Sequence, residues 1–365
     1  MGKKKVSHEF KDDVVSNQIN KKYGNIIESG SEVLASLENF ETIGISPALD
    51  IALGGGLREG SCVVMTGDPK TGKTTTALYF AAKAQKKGKN VFYLNTEGRL
   101  TKENFRGIKG LDTDAIKIVQ ATDAKPLVSA EDYLNTLETL IKNTPELVAI
   151  VDSTSNMVPQ DELDGEIRTG VRNALPRLLS MFFKRISGDV ARTKAIIIFI
   201  THNIANTGGS RWAPSKMADC GNMLQYQAGT NMVITHRGKW EVPKDSGNHV
   251  GQVANWIIKT SAAGGIPNTT AESWIRYGVG LDEAQEVAQI ASQFAMISRS
   301  GAWYTMTTCV DNQDDPLIKS WILENNVEDV EKAFKFQGME KVVKFLEDNP
   351  QICDFIYEQI REIFL

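Results

Sequence analysis

Between about residues 40 and 266, short runs of apolar residues alternate with longer amphipathic stretches. Four runs predict strands: 61–66 (SCVVMT), 90–95 (NVFYLN), 147–152 (LVAIVD) and 195–201 (AIIIFIT), with a helix over 74–87 after the first. Runs that are apolar at successive positions indicate strands covered on both faces, as in parallel sheets flanked by helices. The pattern therefore predicts an α/β fold with a mostly parallel sheet. Later runs at 232–236 and 255–259 predict added strands, interpreted as a hairpin at the sheet edge.

The two ends of the chain differ from this central part. A helix over 10–23 places Val14, Val15, Ile19 and Tyr23 near one stripe, which so short a helix cannot bury alone. It must dock on the main body or on another subunit. After about Pro267, helices dominate, most clearly over 282–295, 339–346 and 351–364. We expect an N-terminal oligomerisation element (1–39), a core (40–267) and a small C-terminal α or α+β domain (268–365).

Composition excludes several classes of protein. The 365 residues are 41% hydrophobic and 24% charged, which supports a substantial core. The net charge of −4 gives no global attraction to nucleic acid, so any such contact must come from a local patch, from backbone amides or from an assembled surface. The four cysteines form no CxxC pair, which argues against a metal site or a disulfide framework and favours a reducing, cytoplasmic compartment. No apolar run reaches the roughly 18 residues that a membrane span needs.

Residues 67–74 match the pattern G-x-x-x-x-G-K-[ST] between a predicted strand and a predicted helix. Glycines allow backbone N–H groups to turn inward around phosphates, and the helix N-terminus adds a partial positive charge. We expect Lys73 to reach the β- and γ-phosphates of ATP and the Thr74 hydroxyl to ligate Mg²⁺. The alternative is a chance match in a connection. The expected nucleotide-contacting residues here are Gly67, Asp68, Pro69, Lys70, Thr71, Gly72, Lys73, Thr74 and Thr75.

Three polar residues follow the other predicted strands. Asp152 ends an apolar strand, as a magnesium-binding Walker B acid does, although an isolated Asp there often only caps the next turn. Glu97 lies where a general base activates water, but Glu after a strand is also common. His202 can sense the γ-phosphate, or it simply begins a polar loop. Together with Lys73, Glu97 and His202 form the expected catalytic set.

Two loops at the same sheet edge, 159–170 and 203–222, are candidates for ligand contact. The second contains Arg211, Trp212 and Lys216, a charge-plus-aromatic set suited to single-stranded nucleic acid. Its electrostatic signal is thin, because Asp219 offsets one of the two positive charges.

Further sequence segments carry information beyond the motifs described above. They are 19–24 (INKKYG), 42–46 (TIGIS), 49–54 (LDIALG), 53–60 (LGGGLREG), 301–304 (GAWY) and 345–365. Collinear with the phosphate-binding loop, they resemble the RecA family of homologous-recombination proteins, of the bacterial type or a phage relative. The likeness extends from about residue 19 to the end of the chain.

The resemblance implies roles by position. Glu97 takes the catalytic glutamate's role, Phe105 the place of an aromatic that stacks on adenine, and Lys259 that of a cation reaching the neighbouring subunit's nucleotide. Ser261 stands where the family has a second lysine. The two loops align with the family's DNA-binding loops, and the implied DNA contacts are Arg168, Arg172, Asn206, Gly208, Gly209, Arg211, Trp212, Lys216, Gly221 and Asn222.

The resemblance also implies an activity. We expect an ATP- and Mg²⁺-dependent recombinase that forms head-to-tail helical filaments on single-stranded DNA, pairs it with double-stranded DNA and works with single-strand-binding and mediator proteins. His202 replaces the bacterial Gln and no long acidic tail follows residue 365, and both point to a phage protein in its host's cytoplasm. The rival hypotheses are a ring-forming helicase with the same core and a DNA-coating mediator that binds ATP but barely hydrolyses it.

Overall fold

The computed structural model describes residues 13–164, 174–205, 216–218, 223–243 and 245–365. Its contacts divide the chain into a unit up to Glu41 and a unit from Thr42 onward. The described strands are β1 Thr42–Ile43, β2 Leu57–Arg58, β3 Ser61–Gly67, β4 Asn90–Asn95, β5 Lys117–Val119, β6 Leu147–Asp152, β7 Ile196–Ala205, β8 Lys216–Ala218, β9 Thr230–Glu241, β10 His249–Thr260, β11 Thr269–Arg276, β12 Gly280–Leu281, β13 Ser298–Ser300, β14 Trp303–Thr305 and β15 Lys335–Gln337.

The described α-helices are α1 Asp13–Tyr23, α2 Gly30–Glu38, α3 Pro47–Leu53, α4 Lys73–Lys86, α5 Lys102–Arg106, α6 Ala130–Asn143, α7 Gln160–Asp164, α8 Ala174–Thr193, α9 Met223–Gln227, α10 Glu283–Gln293, α11 Thr307–Asp311, α12 Pro316–Glu324, α13 Val330–Ala333, α14 Met339–Asp348 and α15 Pro350–Phe364. A short 3₁₀ turn covers Thr154–Asn156.

The N-terminal unit contains α1 and α2. Ser29 begins α2 with a reciprocal cap, in which its Oγ accepts from the Glu32 N–H at 3.2 Å and the Glu32 carboxylate accepts from the Ser29 N–H at 2.8 Å. No residue of α2 is buried, and Val33, Leu34 and Leu37 are exposed. The predicted helix over 10–23 corresponds to α1, whose expected first residues, 10–12, lie outside the described part of the chain.

The second unit is organised around one large sheet in the order β12-β11-β10-β9-β3-β7-β6-β4-β5. Strands β9, β3, β7, β6, β4 and β5 pair in parallel, whereas β10, β11 and β12 extend the sheet antiparallel, and β8 pairs antiparallel with β7. The predicted α/β fold with a mostly parallel sheet is confirmed. The expected hairpin forms between β9 and β10, but it does not lie at the sheet edge, because β11 and β12 extend the sheet beyond β10. Both strands are longer than their apolar runs, because they continue in pairing through polar residues.

Both faces of the sheet are buried, which explains the continuous apolar runs. Along β3, Val63 and Met65 join a core with Leu78 and Phe80 of α4, while alternate residues face the other way. Those alternate residues, Cys62 and Val64, join a second core formed with α6 and α8. Each large side chain buried in this way contributes about 1.5–3 kcal/mol, so a strand with two covered faces needs apolar residues at every position.

The register of the parallel strands aligns the polar residues that follow them. Gly67 of β3 pairs with His202 of β7, and Asp152 of β6 pairs with both Asn95 of β4 and Ile200 of β7. The carboxyl ends of four strands therefore meet in one row. Ligands in open α/β sheets bind beyond such a row.

The C-terminal part has its own core, formed by residues of α10–α15 and centred on the packed rings of Trp321, Phe334 and Phe345. Strands β13, β14 and β15 make a small antiparallel sheet there. The change of composition at Pro267 marks the turn between β10 and β11, so the central sheet continues to Leu281 before α10 begins at Glu283. Among the described residues, no helix combines the length and apolar character needed to cross a bilayer.

Candidate nucleotide-binding site

A cleft of about 580 Å³ opens at the carboxyl edge of the sheet. Its size lies within the range usual for small-molecule and cofactor sites. Most of the residues expected to bind nucleotide line it, although Gly67, Asp68 and Thr71 do not reach its surface. The lining residues are Pro69, Lys70, Gly72, Lys73, Thr74, Thr75, Glu97, Arg99, Thr101, Asn104, Asp152, His202, Gln252, Ile275 and Tyr277.

The loop between β3 and α4 is held in a tight turn by its own side chains. The Lys73 Nζ donates to the carbonyl oxygens of Gly67 and Asp68, each at 2.8 Å, and the Thr71 hydroxyl donates to the Asp68 carbonyl at 2.8 Å. Gly72 lies at the N-terminus of α4 with φ 106°, and a Cβ there would overlap Ile275 Cδ1. Glycine is required at this position by both its conformation and its surroundings.

Lys73 is buried at the base of the cleft. Burial lowers the pKa of its ammonium group to about 8, against the opposing effect of the Asp152, Glu97 and Asp68 carboxylates. The ammonium is thus close to losing its proton in the absence of a ligand. A phosphate placed beside it would favour the charged form.

Thr74 and Asp152 lie in direct contact, as the expected metal site requires. The Thr74 hydroxyl donates to Asp152 Oδ2 at 2.6 Å, and the Tyr93 hydroxyl of β4 donates to the same oxygen at 2.6 Å. Burial raises the pKa of the Asp152 carboxyl, and these two hydrogen bonds oppose the rise. Tyr93 was not expected here because it lies inside an apolar strand, where nothing in the sequence distinguishes it from a core residue.

Glu97 lies across the cleft, where two donors meet one of its oxygens. The Ser153 hydroxyl donates to Glu97 Oε1 at 2.9 Å, and His202 Nε2 lies 2.5 Å from the same atom. Burial raises the pKa of Glu97, but the hydrogen bonds from His202 and Ser153 outweigh it, so the pKa lies below its ordinary value. The carboxylate is thus ionised and oriented, as a residue that positions water needs to be.

The end of β7 contacts both sides of the site. The His202 backbone N–H donates to the Ser155 hydroxyl at 3.2 Å, while the next residue, Asn203, donates through Nδ2 to Asp68 Oδ1 at 3.2 Å. Sequence reasoning named Asn203 with His202 as a residue after the fourth strand, where a side chain can sense the γ-phosphate. Its contact with the phosphate-binding loop depends on the strand register, which a single sequence does not reveal.

The expected base-stacking aromatic, Phe105, does not line the cleft. It packs partly buried against the core beside α4, whereas Thr101 and Asn104 from the same segment reach the cleft surface. Among the described residues that line the cleft, the aromatic side chain is that of Tyr277, which is 60% exposed and follows β11.

Lys259 lies far from this cleft. It occupies the end of β10, where it is exposed and its Nζ donates to Asn268 Oδ1 at 3.3 Å. Gln252, seven residues earlier in β10, lines the cleft, which separates the two residues by roughly 23 Å along the strand. Lys259 therefore cannot reach the nucleotide cleft of its own chain.

Most of the expected DNA-contacting residues lie outside the described part of the chain. For Lys216 only the backbone is described, as the first residue of β8. The others are Arg168, Arg172, Asn206, Gly208, Gly209, Arg211, Trp212, Gly221 and Asn222. They stay predictions.

Comparison with known proteins adds the deciding observation. Residues 12–282, most of the chain, match the sequence model of the RecA N-terminal domain. The chain belongs to the RecA family. Protein RecA of Rippkaea orientalis is 27% identical over 352 residues, covering 96% of this chain and 90% of that protein. Protein RecA of Thermotoga petrophila is 30% identical over 319 residues, covering 87% of this chain and 81% of that protein.

A third relative extends the same picture: Protein RecA of Saccharopolyspora erythraea is 28% identical over 349 residues, covering 94% of this chain and 90% of that protein. The resemblance that the sequence motifs indicated is confirmed across almost the whole chain, which is a recombinase of the RecA type. These three relatives are bacterial, and the phage origin stays a prediction.

Proposed function

We propose that this RecA-family chain is a DNA-dependent ATPase that assembles on single-stranded DNA and promotes homologous pairing and strand exchange. The observation that carries the proposal is the meeting of Lys73, Thr74, Asp152 and Glu97 around one cleft at the carboxyl edge of the sheet. Family membership supports the DNA-dependent ATPase class, and the cleft supplies the groups that such an enzyme needs.

ATP fits this cleft by several criteria. The first residues of α4 line the cleft, so the positive end of this helix faces a bound phosphate. The Lys73 ammonium is held by loop carbonyl oxygens that a phosphate would replace as its partner. Tyr277, rather than Phe105, is the aromatic residue that we assign to the adenine, because it is exposed within the cleft.

Magnesium also fits the donor set. Within the described residues, no group of three acidic, histidine or cysteine side chains gathers into a metal cage. Mg²⁺ rarely needs one, since one or two protein oxygens together with phosphate oxygens and water satisfy it. Thr74 and Asp152 would hold the ion, which neutralises negative charge on the phosphates when it is bound.

In the proposed reaction, Glu97 orients the water that attacks the terminal phosphate. Ser153 and His202 hold its carboxylate in place, and its lowered pKa keeps it ionised at neutral pH. Lys73 stabilises the charge that develops on the phosphate oxygens. His202 and Asn203 link Glu97 and Asp68 to the segment that enters the second DNA-binding loop, so the state of the nucleotide would bias that loop.

A head-to-tail assembly is part of the proposal. Lys259 lies too far from its own cleft to act there, so any nucleotide that it contacts belongs to a neighbouring subunit. The exposed apolar side chains of α2 offer a second surface for such a neighbour. A heterologous contact of this kind generates an open helical filament when it does not close.

The decisive experiment is a strand-exchange assay with purified protein, using matched and mismatched duplexes in the presence of ATP and Mg²⁺. We expect exchange with the matched duplex only, and extended filaments on single-stranded DNA by electron microscopy. Closed rings with strand unwinding would instead support the helicase hypothesis. DNA binding with hydrolysis that DNA does not stimulate would support the mediator hypothesis.

Two variants with matched controls test the residue roles. Lys73→Ala should abolish nucleotide-dependent filament formation, whereas Lys87→Ala removes the same charge at the exposed end of the same helix and should not. Glu97→Ala should bind nucleotide but stop turnover, whereas Glu103→Ala should hydrolyse ATP normally. Normal hydrolysis by Glu97→Ala would show that its assigned role is wrong.

A further inference from the structure

Arg99 is a cation in the nucleotide cleft for which the proposed reaction has no role. It lines the cleft together with Lys73, Glu97 and Asp152, and its side chain is exposed. Within the described part of the chain, its guanidinium has no hydrogen-bond or ion-pair partner. An arginine without a partner beside a phosphate-binding loop has its donors available for a ligand.

The backbone on each side of Arg99 is anchored. The Gly98 N–H donates to Asn95 Oδ1 at 3.0 Å, and the Asn95 carbonyl accepts from the Tyr133 hydroxyl at 3.3 Å. Leu100 packs against the core, and Thr101 caps the start of α5. The side chain of Arg99 therefore projects from a fixed point into the cleft, and little backbone ordering would accompany ligand binding.

We propose that Arg99 contacts the terminal phosphate of the bound nucleotide from within the same subunit. This inference rests on the proposed function only in taking a nucleoside triphosphate as the ligand. Arg99 follows Glu97 by two residues, which places its backbone at the catalytic end of the cleft. Thr101, Asn104 and Tyr277 also line the cleft.

The balance of charges in the cleft supports a contact between Arg99 and a phosphate. Without Arg99, the two positive charges of Lys70 and Lys73 only balance the two negative charges of Glu97 and Asp152. A guanidinium stays charged at any physiological pH. Arg99 thus gives the cleft the excess of positive charge that a polyphosphate needs. Its charge already acts at this end of the cleft, where it contributes to lowering the pKa of Glu97.

Nucleotide binding without DNA tests the inference, at dilutions where light scattering shows a monomer. Arg99→Ala should bind a non-hydrolysable ATP analogue about tenfold more weakly, as the loss of one charged hydrogen bond predicts, while ADP binding changes less than about twofold. Arg99→Lys should recover part of the loss. Arg106→Ala removes the same charge from the end of α5, outside the cleft, and should bind both ligands normally.

The alternative outcomes separate cleanly. Unchanged affinity of Arg99→Ala for both ligands would overturn the inference, and an equal loss for both would overturn the assignment to the terminal phosphate. A wild-type protein without strand-exchange activity would contradict the proposed function and leave these binding results fully interpretable.

Discussion

The hydrogen bond between Tyr357 and Asp50 offers a quantitative test of how the C-terminal helix is joined to the core. Tyr357 of α15 donates to Asp50 Oδ2 at 2.7 Å, and the Ile45 N–H donates to Oδ1 at 2.6 Å. Gly44 makes this arrangement possible, because a Cβ at that position would overlap Asp50 Oδ2. The segment from Gly44 to Asp50 therefore holds the carboxylate that accepts the hydrogen bond from the Tyr357 hydroxyl.

Burial raises the pKa of Asp50 to about 6, against the opposing hydrogen bonds from Ile45 and Tyr357. A carboxyl whose folded pKa exceeds its unfolded value favours the folded state at low pH, and that contribution is lost as the pH rises toward 6. Above pH 6 the buried carboxylate depends on its donors. A hydrogen bond to a charged group contributes about 1.5–3 kcal/mol, against about 1 kcal/mol to a neutral one.

We therefore expect Tyr357→Phe to lower the free energy of unfolding by about 2 kcal/mol at pH 8 and by about 1 kcal/mol at pH 5. At pH 8 this corresponds to a fall in melting temperature of roughly 3 °C, measured by calorimetry. Tyr304→Phe removes a hydroxyl from the same C-terminal core without touching Asp50 and should shift neither value. Equal losses at the two pH values would refute the reasoning, because the effect would then not depend on the charge of Asp50.

Three further expectations concern the nucleotide site. Nucleotide binding should take up protons at pH 8.5 but not at pH 6.5, because the pKa of Lys73 is about 8. Calorimetry in buffers of different ionisation enthalpy would detect the proton uptake, and Lys73→Arg should abolish it. Gly72→Ala should lose nucleotide binding and have a lower melting temperature than Gly88→Ala, because Gly88 has a similar positive φ but open space around it. Equal melting temperatures would disprove the argument that a Cβ at position 72 overlaps Ile275. Ser153→Ala should reduce the rate of ATP hydrolysis by about tenfold at unchanged nucleotide affinity, because Glu97 loses one hydrogen-bond donor. An unchanged rate would show that the Ser153 hydroxyl does not orient Glu97 for catalysis.

The parts of the site that sequence predicted share one physical basis. Parallel strands covered on both faces appear as apolar runs, and their carboxyl ends converge whatever lies between them. Glu97 and Asp152 followed from this rule, and Lys73 and Thr74 from the phosphate-binding pattern that comes after the first of these strands. The strand register places all four around one cleft.

The parts that were missed depend on distant pairing. Tyr277 reaches the cleft only because β11 joins the sheet through β10 and β9, and the turn at Pro267 hid that continuation. Tyr93 and Ser153 carry no local signal, since the first resembles a core aromatic and the second an ordinary turn residue. Phe105 was placed by alignment to the family, yet packing in α5 sends its ring to the core.

The end of β7 connects these observations into one account of coupling. Two consecutive residues there contact different parts of the site: His202 contacts Glu97, and Asn203 contacts Asp68 in the phosphate-binding loop. Neighbouring residues of a strand point to opposite sides, so a displacement of this strand end cannot preserve both contacts unless Glu97 and the loop move with it. Under the proposed function, a ligand that draws Glu97 or the loop toward the phosphates would therefore displace the end of β7, where the segment 203–222 begins. This is the segment that the family resemblance assigns to DNA, and the coupling proposed for this protein needs no longer path than two adjacent side chains.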